Sequence, residues 1–432
     1  MSNMKQETVV ETIVSEPEKE LRLWNKNSIL LWQGLLVSAV GSVVYEIALG
    51  FWVLAVTGST ALMGTLMAAS AAPRIILSPF AGVLVDRSDR RWILVIMDFI
   101  RGVAVVGVAI AAYAGTIEIW MVFAAGVVIG VCGAFFQPAV GSAIPDLVPK
   151  TKIVQANSFF GMIHSFSGII GNSAGGFLYA LLGAPLMFLV NGISYIFSAV
   201  TELFISIPRI PARAVKVTFW DDLKSGLRFA WDIAGLRFLL IAAAILNFFA
   251  IIGVVLLLPL FEKYAHLGPE KYGIMMGLFT GGLVAGMSVT SSLNIQPDKR
   301  FFLLAVSAIV NSVAMSLLPL YLNILYMSAL VFVAGFGNAI INVFISATIQ
   351  LTVPQDMRGK VFGLIGTIAG GLTPVAMALG GLLAEFIPVR VVIFSGFAIT
   401  GISFIPLLLQ KPFRDFINFN PETQSMEDLI KS

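Results

Sequence analysis

The chain has 432 residues, of which 58% are hydrophobic and 12% charged, with a formal net charge of +3. Soluble proteins carry about 25% charged residues, so a soluble multidomain protein is excluded: the polar groups cannot cover the apolar surface, and lipid must solvate most of the chain. The low net charge, without a basic helix or stripe, excludes a nucleic-acid binder, the single Cys132 excludes an intrachain disulfide framework, and two distant histidines, His164 and His266, give no metal-ligand cluster.

Residues 1–27 are polar and carry Glu7, Glu11, Glu16, Glu18 and Glu20. They read as a disordered cytoplasmic tail rather than a cleavable signal peptide. Six apolar runs follow near 29–57, 60–84, 92–114, 118–142, 157–181 and 185–206. Residues 207–236 are polar again. Thr218 followed by Asp221 reads as a helix start, with Trp220, Leu223, Leu227, Trp231 and Ala234 along one face and Asp221, Asp222, Lys224, Arg228 and Asp232 on the other. This predicts an amphipathic helix on the membrane surface or packed on the helix ends. Six more runs lie near 237–260, 273–293, 301–319, 324–350, 362–386 and 390–409, and 411–432 reads as a second cytoplasmic tail. Each run is about 20 residues or longer, the length of a helical crossing, and the runs are unbroken rather than alternating, unlike barrel strands. The predicted fold class is an all-α membrane protein with twelve transmembrane helices.

The two sets of six runs repeat. A shift of 205 residues lays Gly130 on Gly335, Ala134 on Ala339, Gln137 on Asn342, Val148-Pro149 on Val353-Pro354, Gly161 on Gly366 and Gly175-Gly176 on Gly380-Gly381. A constant offset argues for duplicated units, hence two pseudo-symmetric six-helix bundles, 28–206 and 237–410, with a cavity predicted between them near mid-membrane. With the N-terminus inside, 22 of the 27 Lys and Arg fall in inner segments. The positive-inside rule then puts both termini in the cytoplasm of a multi-pass protein of the cell membrane.

Several residues stand out chemically. Glu46 lies mid-span on a stripe with Ser38 and Ser42. A charge there costs about 2.5–3.5 kcal/mol on insertion scales and needs a partner, water or a proton. Arg74, near mid-span in the second run, is the natural partner, so Glu46 is either half of a structural ion pair or a protonatable site. Asp98 and Arg101 share one helix face, three residues apart, as a local ion pair or a charge relay. His164 can titrate near neutrality. Tyr45, Gln137, Asn172, Asn191, Asn247, Asn311, Asn338 and Asn342 lie within spans, where they either line the cavity or tie helices together at about 0.6 kcal/mol each. Gly277-x-x-x-Gly281, Gly282-x-x-x-Gly286 and Gly366-x-x-x-Gly370 predict close helix contact. A phosphate-binding loop of the Gly-x-x-x-x-Gly-Lys-Ser/Thr type is absent from the sequence.

The loop after the second run reads Gly82-Val-Leu-Val-Asp86-Arg87-Ser-Asp89-Arg90-Arg91, and Asp298-Lys299-Arg300-Phe301 is a worn copy in the second half. This resembles the signature loop of the major facilitator superfamily. The chain is further similar to its macrolide-efflux and enterobactin-exporter branch through Pro79-x-x-Gly82, Asp98-x-x-Arg101, Pro145-Asp-Leu-Val-Pro149 before Ala156-Asn157, and Val353-Pro354-x-x-Met-Arg358-Gly359. Gly171-Asn172-Ser-Ala-Gly175-Gly176 resembles the motif of exporting members, with Asn172 in place of proline. Asp89 replaces the usual glycine, and no arginine lies between 118 and 142, where proton-coupled exporters often have one.

The resemblance implies a secondary transporter that exports an amphipathic small molecule (a drug, macrolide or siderophore) by alternating access, coupled to protons. It also implies that Asp86, Arg87, Arg90 and Arg91 form a cytoplasmic gate, with Asp86 against a helix N-terminus expected near Val361-Phe362. The alternatives are a lipid or lysophospholipid transporter and, from another class, a membrane-embedded enzyme. The expected partners are a small-molecule substrate, protons and the lipid bilayer, without nucleic acid, cofactor or metal, and the chain is expected to act as a monomer.

Overall fold

The computed structural model describes residues 22–86, 88–207, 219–264, 267–293, 295–421 and 423–424, and every regular element among them is helical. The first set comprises α1 (Lys26–Thr57), α2 (Thr60–Asp86), α3 (Arg90–Tyr113), α4 (Ile119–Leu147) and α5 (Ile153–Leu203). A short α6 (Phe219–Asp232) leads to α7 (Ala234–Val255), α8 (Leu257–Lys263), α9 (Gly268–Ser292), α10 (Pro297–Leu317) and α11 (Ile324–Thr352). The chain ends with α12 (Gln355–Gly371), α13 (Thr373–Phe386), α14 (Val389–Leu408) and α15 (Lys411–Ile417).

Among the described residues, eleven continuous segments are long and apolar enough to cross a bilayer. One of them, α5, holds Gly183 at φ 70, ψ 167, two residues before Pro185. A straight helix of that length would run about 76 Å, more than twice the hydrocarbon thickness of about 30 Å. The break at Gly183 lets 153–182 and 184–203 cross separately, which brings the crossings to twelve. Elsewhere single crossings are broken without turning back. The α7–α8 crossing breaks at Leu256 and the α12–α13 crossing at Leu372, before Pro374. Large apolar side chains such as Leu325 and Phe386, 78% and 82% exposed, form the outer surface, as a lipid-facing wall requires.

Three boundaries differ from the sequence reading. Helix α1 starts at Lys26 because Asn25 accepts from the backbone of Asn27 (2.9 Å) and Ser28 (3.0 Å), and Ser28 accepts from Asn25 N. The last residues before the first run are therefore a capping box, not tail. Helix α12 starts at Gln355, six residues before the predicted Val361. Pro354 ends the preceding segment, sits at the N-cap and lets the polar stretch 355–360 coil. Residues 411–419 are packed: Phe413, Phe416, Ile417 and Phe419 are buried against α7, α10 and α11. In α6, Ala230 and the following Ile233 are buried on the side that meets α7 and α12, while Leu227 and Trp231 are exposed. The short helix thus packs on helix ends and still turns an apolar stripe outward.

Packing repeats at the offset found in the sequence. A side chain at Gly130 would strike Ser70 O of α2, and one at Gly335 would strike Phe279 O of α9. Gly175 abuts Ile47, and Gly380 abuts Ile252, the residue 205 further along. Glycine brings backbones together where lipid gives no hydrophobic drive to associate.

The two sets meet at one end of the molecule. Helix α13 packs along α2 and α9 packs along α5, whereas α12, the other half of α13's crossing, barely touches α2. Gly64 faces Gly381 and Gly176 faces Gly273, each pair too close for any side chain. At the opposite end Gly82, Gly161, Gly366 and Gly370 have open space above them, so the close contact expected of Gly366-x-x-x-Gly370 is absent. Glu385 of α13 fastens the joined end. Its Oε1 accepts from Ser59 Oγ (2.6 Å) and Ala61 N (2.9 Å), with Thr60 Oγ1 at 3.4 Å. It therefore caps the N-terminus of α2 from across the interface, where a carboxylate also meets the positive end of the helix dipole.

Replacing Glu385 with Gln removes the charge from this cap, a loss of about 1 kcal/mol. In a Cys132→Ala background, labelling of a Met67→Cys probe by an impermeant thiol reagent applied from the joined side should rise about fivefold, the equivalent of that free energy. Gly183→Ala should cost about 1–3 kcal/mol, since its backbone region is essentially open to glycine alone. This is read as a lower unfolding temperature in detergent.

Candidate functional site

A cavity of about 350 Å³ lies among α1, α2, α4, both limbs of α5 and α13, with Arg101 of α3 reaching its edge. The 3.6-residue period of α1 sets Ser38, Ser42 and Glu46 on its wall, four residues apart, as the stripe in the sequence predicts. Arg74 of α2, Gln137 of α4 and Ser167 of α5 add polar groups, and Leu49, Met67, Ile129, Phe136 and Met377 add apolar ones. Among the described residues, Thr373 and Met377 are the contribution of the second set. Tyr45 also borders the cavity, but its ring is buried against Phe188 at 5.2 Å.

Glu46 is exposed to the cavity and so is Arg74. They do not form the ion pair expected from the sequence: no contact within 4.0 Å joins them, although Arg74 acts on Glu46 electrostatically. The open space between α1 and α2 separates them. A carboxylate and a guanidinium that border an open cavity keep their charges at lower cost than in lipid.

Behind this wall Ser42 Oγ and Tyr195 Oη are 2.8 Å apart. The Arg101 guanidinium sits between the Tyr195 ring (4.6 Å) and the Phe136 ring (4.2 Å), a double cation–π contact. Arg101 also pairs with Asp98, which is fully buried. The local pair read from their three-residue spacing is therefore present, and one edge of it reaches the cavity.

At the end where the sets stand apart, Arg90 pairs with Asp146 at the end of α4 and also donates to Ser142 O at 3.2 Å. Arg91 donates to Leu203 O, closing the end of α5, and Asp89 caps α3 by accepting from Arg91 N at 3.1 Å. Arg90 and Arg91 thus brace the first set internally and do not reach across to the second. Arg87, and the side chains of Asp86 and His164, lie outside the described residues. Arg300 of the worn loop copy donates to Phe419 O at 3.2 Å, holding the end of the chain beyond α15.

The amides other than Gln137 lie off this cavity wall. Asn191 is buried at the α1–α5 contact, where Gly41 leaves room for it. Asn311 ties α10 to α11 through Ala334 O at 2.7 Å. Asn172, Asn247 and Asn342 each donate to the carbonyl four residues back, and Asn342 also donates to Asn338 Oδ1. Sequence reasoning passed over Tyr195, Glu202, Asp146 and Glu385. Asn191, Ser194, Ser198 and Glu202 recur every three or four residues, and that polar stripe was the available signal. Asp146 and Glu385 sit at span ends, where a charge looks ordinary.

The sequence profile of the Major Facilitator Superfamily matches residues 31–374. Macrolide efflux protein A of Streptococcus pyogenes is 23% identical over 377 residues, 85% of this chain and 91% of that protein. The multidrug efflux pump Tap of Mycolicibacterium fortuitum is 26% identical over 373 residues, 83% of this chain and 89% of that one. In fold, a bacterial homologue of the iron transporter ferroportin, solved inward-facing, aligns with a TM-score of 0.66 at 17% identity, covering 89% of this chain and 99% of that one. A bacterial homologue of the human lysosomal transporter Spinster, inward-facing and unoccupied, aligns at 0.65 and 14% identity, covering 91% and 98%. Since the profile runs from the first crossing into the eleventh, over helices that repeat and enclose a cavity, this chain belongs to the major facilitator superfamily and is a multi-pass membrane transporter of small molecules.

Proposed function

We propose that the protein exports amphipathic small molecules, macrolides among them, from the cytoplasm by alternating access, in exchange for protons. The observation that carries this reading is a mixed polar and apolar cavity between helix sets that are joined at one end and apart at the other. The basic loops belong to the separated end, and the excess of Lys and Arg there supports the reading that this end faces the cytoplasm. The named efflux relatives support the direction and the substrate class.

In this scheme a molecule enters from the cytoplasm and lays its apolar body on Met67, Ile129, Phe136 and Met377, whose two thioethers adapt to varied shapes. Its polar or cationic part meets Glu46. A proton on Glu46 and a cationic group compete for the same carboxylate, so binding from inside releases a proton and reprotonation from outside expels the substrate. The sets then rock, breaking the Glu385 cap and the glycine pairs and joining the cytoplasmic ends. There the signature loop supplies the counterpart contact: Asp86 ends α2 as Glu385 nears the end of α13, and the facing N-terminus is that of α12 at Gln355.

Inverted membrane vesicles test the scheme. Radiolabelled erythromycin should accumulate when the vesicle interior is acidified and should leak out when nigericin collapses the gradient. Glu46→Gln should reduce the initial rate roughly tenfold or more, about 1.4 kcal/mol at the barrier, with the protein still monodisperse in detergent. Accumulation that ignores nigericin would defeat the proton part. Accumulation of a labelled lysophospholipid in place of erythromycin would favour lipid movement. Asp86→Asn should lower transport at unchanged abundance in the membrane, and wild-type transport by that variant would remove the cytoplasmic contact.

A further inference from the structure

Behind the cavity wall the structure buries two carboxyl groups beside Arg101, the one cation acting on both among the described residues. Asp98 of α3 is 0% exposed and Glu202, in the last turn of α5, is 1% exposed. The Ser198 hydroxyl lies between them, donating to Glu202 Oε1 at 3.4 Å and also facing Asp98. Arg101 pairs with Asp98 and lies within electrostatic range of Glu202. Asp98 Oδ2 and Glu202 Oε2 are buried without a hydrogen-bond partner. Among the described residues, the other ionisable groups around this cluster are Cys132 of α4 and Tyr195 of α5, while α1 contributes Glu46 only at a distance, through Tyr195. On α1, Gly34 is pressed onto Ser198 and Thr201, and Gly41 onto Ser194 and Asn191, so that the two helices are in close contact beside the cluster.

Charge arithmetic then decides the state of the cluster. With both carboxyls ionised, one negative charge has no partner in a site closed to solvent, which costs several kcal/mol. With one proton between them, the cluster is neutral, and no unmatched charge is left in the closed site. Strongly interacting sites of this kind titrate as a unit. A route to the cavity is already built: Arg101 touches both the cluster and Tyr195, Tyr195 is hydrogen-bonded to Ser42, and Ser42 stands one turn from Glu46.

We propose that Asp98 and Glu202 form a second proton-binding site that holds one shared proton, and that the Arg101–Tyr195–Ser42 chain ties its occupancy to the cavity. Its role in transport rests on the proton-coupled reading above, but the existence of the shared proton does not. When that proton leaves, the uncompensated charge draws Arg101 deeper into the cluster and away from Tyr195, which alters the wall opposite the substrate.

Infrared difference spectroscopy of the purified protein at neutral pH tests the site. A C=O stretch from a protonated carboxyl, downshifted in D2O, should be present in the wild type. It should vanish in both Asp98→Asn and Glu202→Gln, because either change leaves Arg101 matched to a single carboxylate. Loss in Glu202→Gln alone would put the proton on Glu202 unshared and overturn the proposal, as would a band that survives both changes. If either variant unfolds, Ser198→Ala supplies the test, since removing the bridging hydroxyl should move the band, and an unmoved band overturns sharing. In proteoliposomes Glu202→Gln should retain erythromycin counterflow and lose its acceleration by a pH gradient; gradient acceleration at the wild-type level would sever the site from coupling. If the wild type itself gains nothing from the gradient, the proton-driven reading fails while the infrared band still judges the site.

Discussion

Backbone-to-backbone approach through glycine is the interaction on which this molecule depends. Helices in a bilayer gain nothing by hiding apolar side chains from lipid tails that are equally apolar, so their association rests on close packing and polar contacts. Gly130 and Gly335 bring α4 onto α2 and α11 onto α9, while Gly64 with Gly381 and Gly176 with Gly273 bring one helix set onto the other. The first kind of contact holds each set together and the second joins the sets. Contacts between smooth backbones can separate without dragging large side chains from pockets, which suits the rocking proposed above. The Glu385 cap adds direction to that interface, because it is one point of polar attraction at the end where the glycines meet.

Charge within the membrane follows a second constraint, and the structure satisfies it in three ways. Glu46 and Arg74 are left apart and open to a cavity. Asp98 and Arg101 are paired, with the guanidinium also held by two aromatic faces. Arg90 and Asp146 are joined at the border, where Ser142 O accepts from the same guanidinium. Each solution suits its depth: water at the cavity, an ion pair and ring quadrupoles in the interior, and backbone carbonyls near the surface.

The sequence disclosed most of the architecture because the dominant signals in it are the ones lipid enforces. Runs of apolar residues gave the crossings, even across α5, where helix geometry alone would merge two of them and only Gly183 and Pro185 mark the turn. The 205-residue offset foretold equivalent contacts, down to Ile47 and Ile252. Positions with partners distant in sequence were less legible. Periodicity placed Glu46 on a stripe but could not show that α1 and α2 part there, so it left open the ion pair with Arg74 that the structure does not form. Asn191, Asn247 and Asn311 looked alike as isolated polar residues, and only three-dimensional packing separates a buried amide from one that binds its own helix. Glu385 and Asp146 were hidden by the ordinariness of charge at a membrane border.

The cavity is lopsided: among the described residues, α1, α2, α4 and α5 build nearly all of it, and the second set lends Thr373 and Met377. Such an arrangement divides the labour unevenly between the two helix sets. In the scheme proposed above, the first set is the mould that chooses a cargo and the second a shutter that swings past it. Under that proposal, substitutions in the mould can broaden or narrow what is carried while the hinge surfaces stay fixed, a short evolutionary path from one cargo to the next.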